Sequence, residues 1–336
     1  SLAFLIGLPA VMIMGWLGDR MGARPLMLGA SLLIGGGTVL LSSISELWHF
    51  YLIYGFMVGS MGHAAFSVQL PVIMTRWFHT NLGVVMGIYW ASQGLGPVIF
   101  APLFRWLLET QGWSNTFVLI GTLLGCILAF FALFIVRSPA DMGLQPYGME
   151  NAPKAEQANA AKAATEPPMS LRHVLKHRIV WQLFGIHHAG CLAHAIILAH
   201  IVSMATFKGI PGVEAAGVLA TIAGSSVISR FVFSILADKF GGRTTLTLSL
   251  CGQSLPVIIL FFAQEPWMFY LFAVVFGLSY GGEMVGFPII NKQLFGTKAP
   301  LGSIYSFEMV GAGTGMALGG WLGGGLFDAT GSYTVS

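Results

Sequence analysis

Charge is what this sequence has least of: 9% of its 336 residues are Asp, Glu, Lys or Arg, against 55% hydrophobic. A soluble domain of this length cannot cover its surface with so few charges, so a free globular protein is excluded. The net charge of +3 is too small to mark a nucleic-acid partner. Cysteine is scarce too. Cys126, Cys191 and Cys251 are odd in number and lie inside apolar runs, so they read as small packing residues and no disulfide framework is expected. A basic leader and a small-residue cleavage site are both missing, which leaves no signal peptide. The chain starts at Ser1 within an apolar run, as a truncated sequence would. It offers no nucleophile–base pair and no phosphate loop, and the adjacent His187 and His188 point apart. Neither an enzyme, a cofactor nor a metal site is therefore expected.

What the chain has is helix-length apolar sequence, with a mean hydropathy of +0.78. A hydrocarbon core about 30 Å thick takes roughly 20 apolar residues per helix. Ten spans are predicted on that measure, at 1–18, 26–44, 50–74, 83–107, 115–137, 180–206, 214–236, 244–263, 268–291 and 302–326. A polar segment, 138–179, separates five spans from five and divides the chain into 1–137 and 180–336. Its Ala, Pro and charge (Pro153, Lys154, Glu156, Lys162, Glu166, Pro167, Pro168) suit a flexible linker. Its end, Met169 to Ile179, predicts a short basic amphipathic helix on the membrane surface, with Leu171, Val174 and Leu175 set against Arg172, Lys176 and Arg178.

Between the first two spans runs Gly15-Trp16-Leu17-Gly18-Asp19-Arg20-Met21-Gly22-Ala23-Arg24. It returns as Ser234-Ile235-Leu236-Ala237-Asp238-Lys239-Phe240-Gly241-Gly242-Arg243, with Asp19 and Asp238 separated by 219 positions. A charged loop that occurs once per half, each time between apolar helices, marks an internally duplicated membrane protein. Thirteen of the sixteen basic residues fall on the side of these loops, while only Lys208 and the border residue Arg105 lie opposite. That asymmetry predicts cytoplasmic motif loops and a cytoplasmic linker.

With these loops, the chain resembles the major facilitator superfamily. The signature Gly-x-Leu-x-Asp-Arg-x-Gly-x-Arg follows that family's second and eighth helices. The resemblance implies an all-α membrane protein of two pseudo-symmetric six-helix bundles. The ten spans would be helices two to eleven, with helices two to six in 1–137 and seven to eleven in 180–336. Further stretches resemble the monocarboxylate porter and oxalate:formate antiporter group. They are Pro71 to Phe78, Gly83 to Gly96, Ala101-Pro102-Leu103, Arg137-Ser138-Pro139, Asp141 to Pro146, Ser229-Arg230, Tyr280-Gly281-Gly282 and Phe327-Asp328. The chain departs from the group at three places. Asn81-Leu82-Gly83 replaces a basic pair and glycine, Ser226 stands where close monocarboxylate porters carry an aspartate, and no lysine lies between Leu301 and Phe327. The missing lysine argues against oxalate. The missing sugar-porter signatures argue against sugars.

Few residues can carry chemistry inside the bilayer. Arg230 precedes Asp238 by eight residues, roughly 12 Å toward mid-membrane at 1.5 Å per residue. A guanidinium there is costly unless paired, and it can grip a carboxylate through two parallel hydrogen bonds. It either binds substrate or forms a structural ion pair with Glu283 or Glu308. Both carboxyls, and His63 at mid-depth of its span, are candidates for proton coupling, with neutralisation or packing as the plain alternatives. Tyr89 and Gln93, one turn apart, are weaker candidates for substrate contact. His200 joins them because it matches the group's pattern. Gly83, Gly87, Gly94 and Gly96, and Gly311, Gly313, Gly315, Gly319 and Gly320, mark close helix contacts or kinkable gates. In the motif, Asp19, Arg20 and Arg24, with Asp238, Lys239 and Arg243, are expected to gate. The aspartates would accept hydrogen bonds from helix N-termini or arginines of the opposite bundle.

The expected function is secondary active transport of a small organic anion, a monocarboxylate, by alternating access coupled to protons. The protein is expected to be a monomer in a bacterial-type inner (plasma) membrane, and the ten-span chain is expected not to transport without the two missing helices. The alternatives are an exchanger or efflux carrier of another metabolite, and a non-transporting receptor on the same fold.

Overall fold

A computed structural model describes residues 2–154, 157, 169–296 and 298–336. Among them the chain is helical with no β-strand, apart from one isolated bridge between Phe78 and Tyr147. Ten long rods follow in order: α1 (Leu2–Met21), α2 (Ala23–Leu40), α3 (Leu47–Trp77), α4 (82–111), α5 (113–133), α6 (Arg178–Phe207), α7 (212–240), α8 (242–262), α9 (Pro266–Phe295) and α10 (Leu301–Thr330). The middle of α3, Tyr51–Gly62, is π-helical.

Among the described residues, six helices are long and apolar enough to cross a bilayer by length and composition. Two of these run 52 and 51 residues. At 1.5 Å per residue each is more than twice as long as a hydrocarbon core is thick. Each is therefore two spans, broken at a single glycine with positive φ, Gly112 (φ 73°) and Gly241 (φ 82°).

That break corrects the expectation of motif loops. Helix α1 continues to Met21, Gly22 turns the chain at φ 85°, and α2 starts at Ala23. Gly241 does the same between α7 and α8. Each glycine stands three residues after the motif aspartate. Because glycine alone enters this backbone region at little cost, one residue suffices for the turn. The aspartates accordingly sit on rigid helix ends instead of in flexible loops.

Small residues set how closely the rods approach. A Cβ added at Gly311, Gly315 or Gly319 of α10 would strike the backbone carbonyls of Phe184, His188 or Leu192 on α6. The four-residue spacing keeps all three glycines on one face and brings the two backbones together. On α4, Gly83, Gly87 and Gly94 likewise face α7, where a Cβ would meet Ser234, Arg230 and Val227. Of the two readings of these glycines, close packing is the one the geometry displays.

The polar segment is partly folded. Residues 139–151 form two short 3-10 turns, Pro139–Met142 and Met149–Asn151. Tyr147 hooks onto the end of α3, donating its N–H to the Trp77 carbonyl at 2.8 Å and accepting from the His79 N–H at 2.9 Å. Glu156, Lys162, Glu166, Pro167 and Pro168 lie outside the described residues. The expected surface helix is a single turn, Leu171–Val174. Its Val174 is fully buried with Val68 and Val72 of the first half and Val180 and Tyr305 of the second. Its apolar side is used by protein contact, which leaves too little to hold a membrane surface.

The glycine face gives the first prediction. Gly315→Val should lower the thermal unfolding midpoint in detergent, with a cost of about 1–3 kcal/mol from overpacking. Gly320→Val, which has open space around it, should leave that midpoint nearly unchanged.

Candidate functional site

The two motif aspartates reach across the molecule. Asp19 of α1 accepts hydrogen bonds from the Gly302 N–H (3.2 Å), the Ser303 N–H (2.7 Å) and the Ser303 hydroxyl (2.7 Å) at the start of α10. Asp238 of α7 accepts from the Gly83 N–H (2.6 Å) and the Val84 N–H (3.1 Å) at the start of α4. The 219-residue offset that relates Asp19 to Asp238 also relates Gly83 to Gly302 and Val84 to Ser303. Each half thus caps a helix N-terminus of the other, in a crosswise pair. The first four N–H groups of a helix have no internal partner, and a carboxylate there also meets the positive end of the macrodipole.

The copies differ in strength. Asp19 takes one more hydrogen bond and also an ion pair with the buried Arg76 of α3 at 3.5 Å. Gly15 faces Ser306 across the α1–α10 seam, and its counterpart Ser234 faces Gly87 across the α7–α4 seam. The remaining motif residues stay within their own halves. Arg20 stacks on Trp16 with its guanidinium carbon 4.1 Å from the ring centroid, Arg24 donates to the Ile135 carbonyl at 3.0 Å, and Lys239 lies 5.3 Å from the Phe240 ring. Arg243 is exposed. One contact on this end has no signal in the sequence: Lys292 donates to the Phe78 carbonyl of the other half at 2.5 Å.

Farther along α7, Arg230 is half-buried where α7 crosses α4. It donates from Nη1 to the Trp90 carbonyl of the other half at 2.5 Å, and its Nε has no hydrogen-bond partner. No carboxylate pairs with it among the described residues. Gly94 and Gly281 leave the room its side chain occupies. Tyr89 neighbours Trp90 and lies within reach of Gln93, one turn on. The Trp90 indole N–H is a second buried donor without a partner, on a residue that no motif singles out. Ser226, at the position of the group's aspartate, only bonds back to the Ala223 carbonyl of its own helix.

Both carboxyls are fully buried, and neither serves Arg230. Glu308 accepts from Asn291 at 2.8 Å through Oε2, while its Oε1 and the Asn291 Oδ1 stay unbonded. Glu283 faces α6 and α8. Its Oε2 accepts from Gln253 at 3.3 Å and stands 3.2 Å from His194 Nδ1. That is ion-pair distance, yet off the line of a hydrogen bond, so Nδ1 has no hydrogen-bond partner. Tyr280 packs edge-on against His194, with ring centroids 4.9 Å apart. The structural ion pair expected as the alternative role of Arg230 is therefore absent.

The other histidines separate. His200 bonds the Gly320 carbonyl at 3.0 Å and lines a cavity near Lys208 and Tyr333. It is not gathered with Arg230. His188 bonds Thr314 at 2.9 Å, as a packing residue does. His63 is exposed and makes no side-chain hydrogen bond among the described residues. His187, Cys191 and Glu283 do come together, with ligand atoms all within 4.8 Å of one another. This qualifies the expectation of no metal site, which rested on the adjacent His187 and His188, because Cys191 follows His187 by four residues and shares its helix face.

The sequence profile of the Major Facilitator Superfamily matches residues 1–291. The chain belongs to this superfamily. Bovine monocarboxylate transporter 13 is 26% identical over 326 residues, covering 95% of this chain and 71% of its own length. The uncharacterized MFS-type transporter YhjX of Escherichia coli strain K12 is 23% identical over 308 residues, covering 90% of this chain and 72% of YhjX. The crystal structure of the E. coli fucose:proton symporter FucP superposes with a TM-score of 0.70 at 15% identity, over 99% of this chain and 84% of that one. At that identity the likeness concerns the fold alone. The chain is thus a multi-pass integral membrane protein whose relatives are transporters.

The crosswise caps predict a measurable opening. In a chain carrying Ser306→Cys, with Cys126 and Cys251 replaced by serine, the new thiol should react slowly with a soluble alkylating reagent. Adding Asp19→Ala should speed labelling about tenfold or more, since charge-assisted hydrogen bonds contribute about 1.5–3 kcal/mol each.

Proposed function

We propose that this member of the superfamily is a secondary active transporter of a small organic anion, a monocarboxylate, that works by alternating access and is coupled to protons. The observation that carries the reading is Arg230, a half-buried cation at the crossing of the two halves with no carboxylate partner and an unused N–H. A guanidinium so placed in a bilayer is costly, and a carboxylate ligand would offset that cost by bidentate hydrogen bonding. The free indole N–H of Trp90, with Tyr89 and Gln93 on the same helix, adds donors and leaves a net preference for an acceptor-rich solute. The kinship with monocarboxylate transporters points the same way.

Coupling falls to the buried carboxyls. Glu308 keeps one oxygen without a partner, and a proton there would convert a bare buried anion into a neutral acid. Glu283 is the second candidate, and His63 stands apart from both. The paired caps at the motif end hold the halves together there, and exchanging access means breaking them. With the motif end cytoplasmic, as the basic residues favour, this arrangement closes the inside.

Transport assays of the full-length protein in liposomes test both parts. Arg230→Ala should reduce kcat/KM for lactate or pyruvate uptake roughly a hundredfold, equivalent to about 3 kcal/mol, while Arg230→Lys retains more. Uptake of every carboxylate surviving intact in Arg230→Ala would remove Arg230 from the site. Asp19→Asn should impair transport more than Asp238→Asn, in line with the richer bonding of the first copy; equal or reversed losses would refute that ranking.

A further inference from the structure

We propose that His187, Cys191 and Glu283 form a binding site for a zinc-class divalent ion that pins α6 to α9 inside the second half. The reading does not depend on the transported solute. Three donor types converge: an imidazole and a thiol one turn apart on α6, and a carboxylate opposite them on α9. Their ligand atoms already lie within 4.8 Å of one another. A tetrahedral ion with bonds of about 2.0–2.3 Å sets its ligand atoms roughly 3.3–3.8 Å apart, so an ångström of side-chain movement closes the site.

The second observation is His187 itself. It is buried to 1% exposure, and neither ring nitrogen has a hydrogen-bond partner. Its ring is held flat against Phe287, centroids 3.8 Å apart, which fixes its plane without satisfying its polar atoms. A buried imidazole left this way is costly, and packing alone supplies no acceptor or donor. Cys191 is buried as well, its sulfur 3.9 Å from Glu283 Oε1. Gly190 belongs to the same design, since a Cβ there would come within 2.6 Å of that oxygen.

Outer contacts complete the picture. Gln253 donates to the far oxygen of Glu283 at 3.3 Å, as the hydrogen-bonded carboxylates of metal sites are held, and His194 Nδ1 stands 3.2 Å from the same oxygen. His194 in turn meets the Met316 sulfur at 3.1 Å. Charge balance favours occupation. A dication with one thiolate and one carboxylate is neutral, which suits a bilayer interior better than a carboxylate without a counter-charge. The mixed nitrogen, sulfur and oxygen set selects zinc over calcium or magnesium. Binding would release the thiol proton. It would also commit Glu283 to the metal and leave Glu308 as the carboxyl free to exchange protons.

Cobalt(II) added to metal-stripped, untagged full chain in detergent provides the test. One equivalent should bind and produce tetrahedral d–d absorption with a thiolate charge-transfer band. Cys191→Ser should abolish the charge-transfer band, whereas Cys126→Ser and Cys251→Ser should leave it. His187→Ala should weaken binding roughly 100-fold or more, since even outer contacts at metal sites account for 10–100-fold. Size-exclusion profiles and helical circular dichroism identify variants that fail to fold. For these, His187→Gln and the zinc-dependent rise in unfolding temperature, expected in the parent and lost in Cys191→Ser, test the same site. No stoichiometric cobalt uptake in the parent, or uptake unchanged by His187 and Cys191 substitutions, would overturn the site.

Discussion

The arrangement of the whole molecule depends on helix ends that cannot satisfy themselves. Helices α4 and α10 each begin with backbone N–H groups that lack an internal partner, and each receives a carboxylate from the opposite half. In a protein with so few charges, placing two at this contact says how much it matters. The carboxylates meet both the free N–H groups and the positive helix dipole, so one side chain offsets two costs at once. Such a joint is directional and all-or-none.

Close packing makes that joint possible. Gly83 and Gly87 let α4 touch α7, as Gly15 and Gly302 let α1 touch α10, and in each pair a Cβ would strike the facing helix. Within the second half, the glycine stripe of α10 does the same against α6. Nothing hydrophobic drives helices together inside lipid, so small residues and polar contacts carry the association. The same closeness delivers Arg230 to the Trp90 carbonyl across the crossing of the halves. The Asp238 cap and the candidate binding residue Arg230 thus lie along one seam between α4 and α7.

Polar groups divide by depth and by role. At the motif end they are satisfied and join the halves. Near mid-membrane several are left short of partners: Arg230 Nε, the Trp90 indole, Glu308 Oε1 and both nitrogens of His187. Buried polar groups are ordinarily bonded, and a membrane raises the cost of an exception. Arg230 and Trp90 meet where α4 crosses α7, while the His187 group lies inside the second half.

Much of this was legible in the sequence, because it rests on period and composition. Apolar length, the duplicated motif and the basic bias of its side follow from what a bilayer admits. The exchange of hydrogen bonds by Asp19 and Asp238 was legible too, since an acidic residue repeated beside helix ends has few other uses. Tertiary structure alone decided what required distance. Arg230 is free of Glu283 and Glu308 because each carboxyl already has a neighbour, His194 or Asn291, that no spacing rule connects to it. Likewise Trp90, Gln253 and Met316 acquire roles only when helices remote in sequence are packed together. One-dimensional pattern records what each helix must bury; the partner of a buried group is set by which helix it meets.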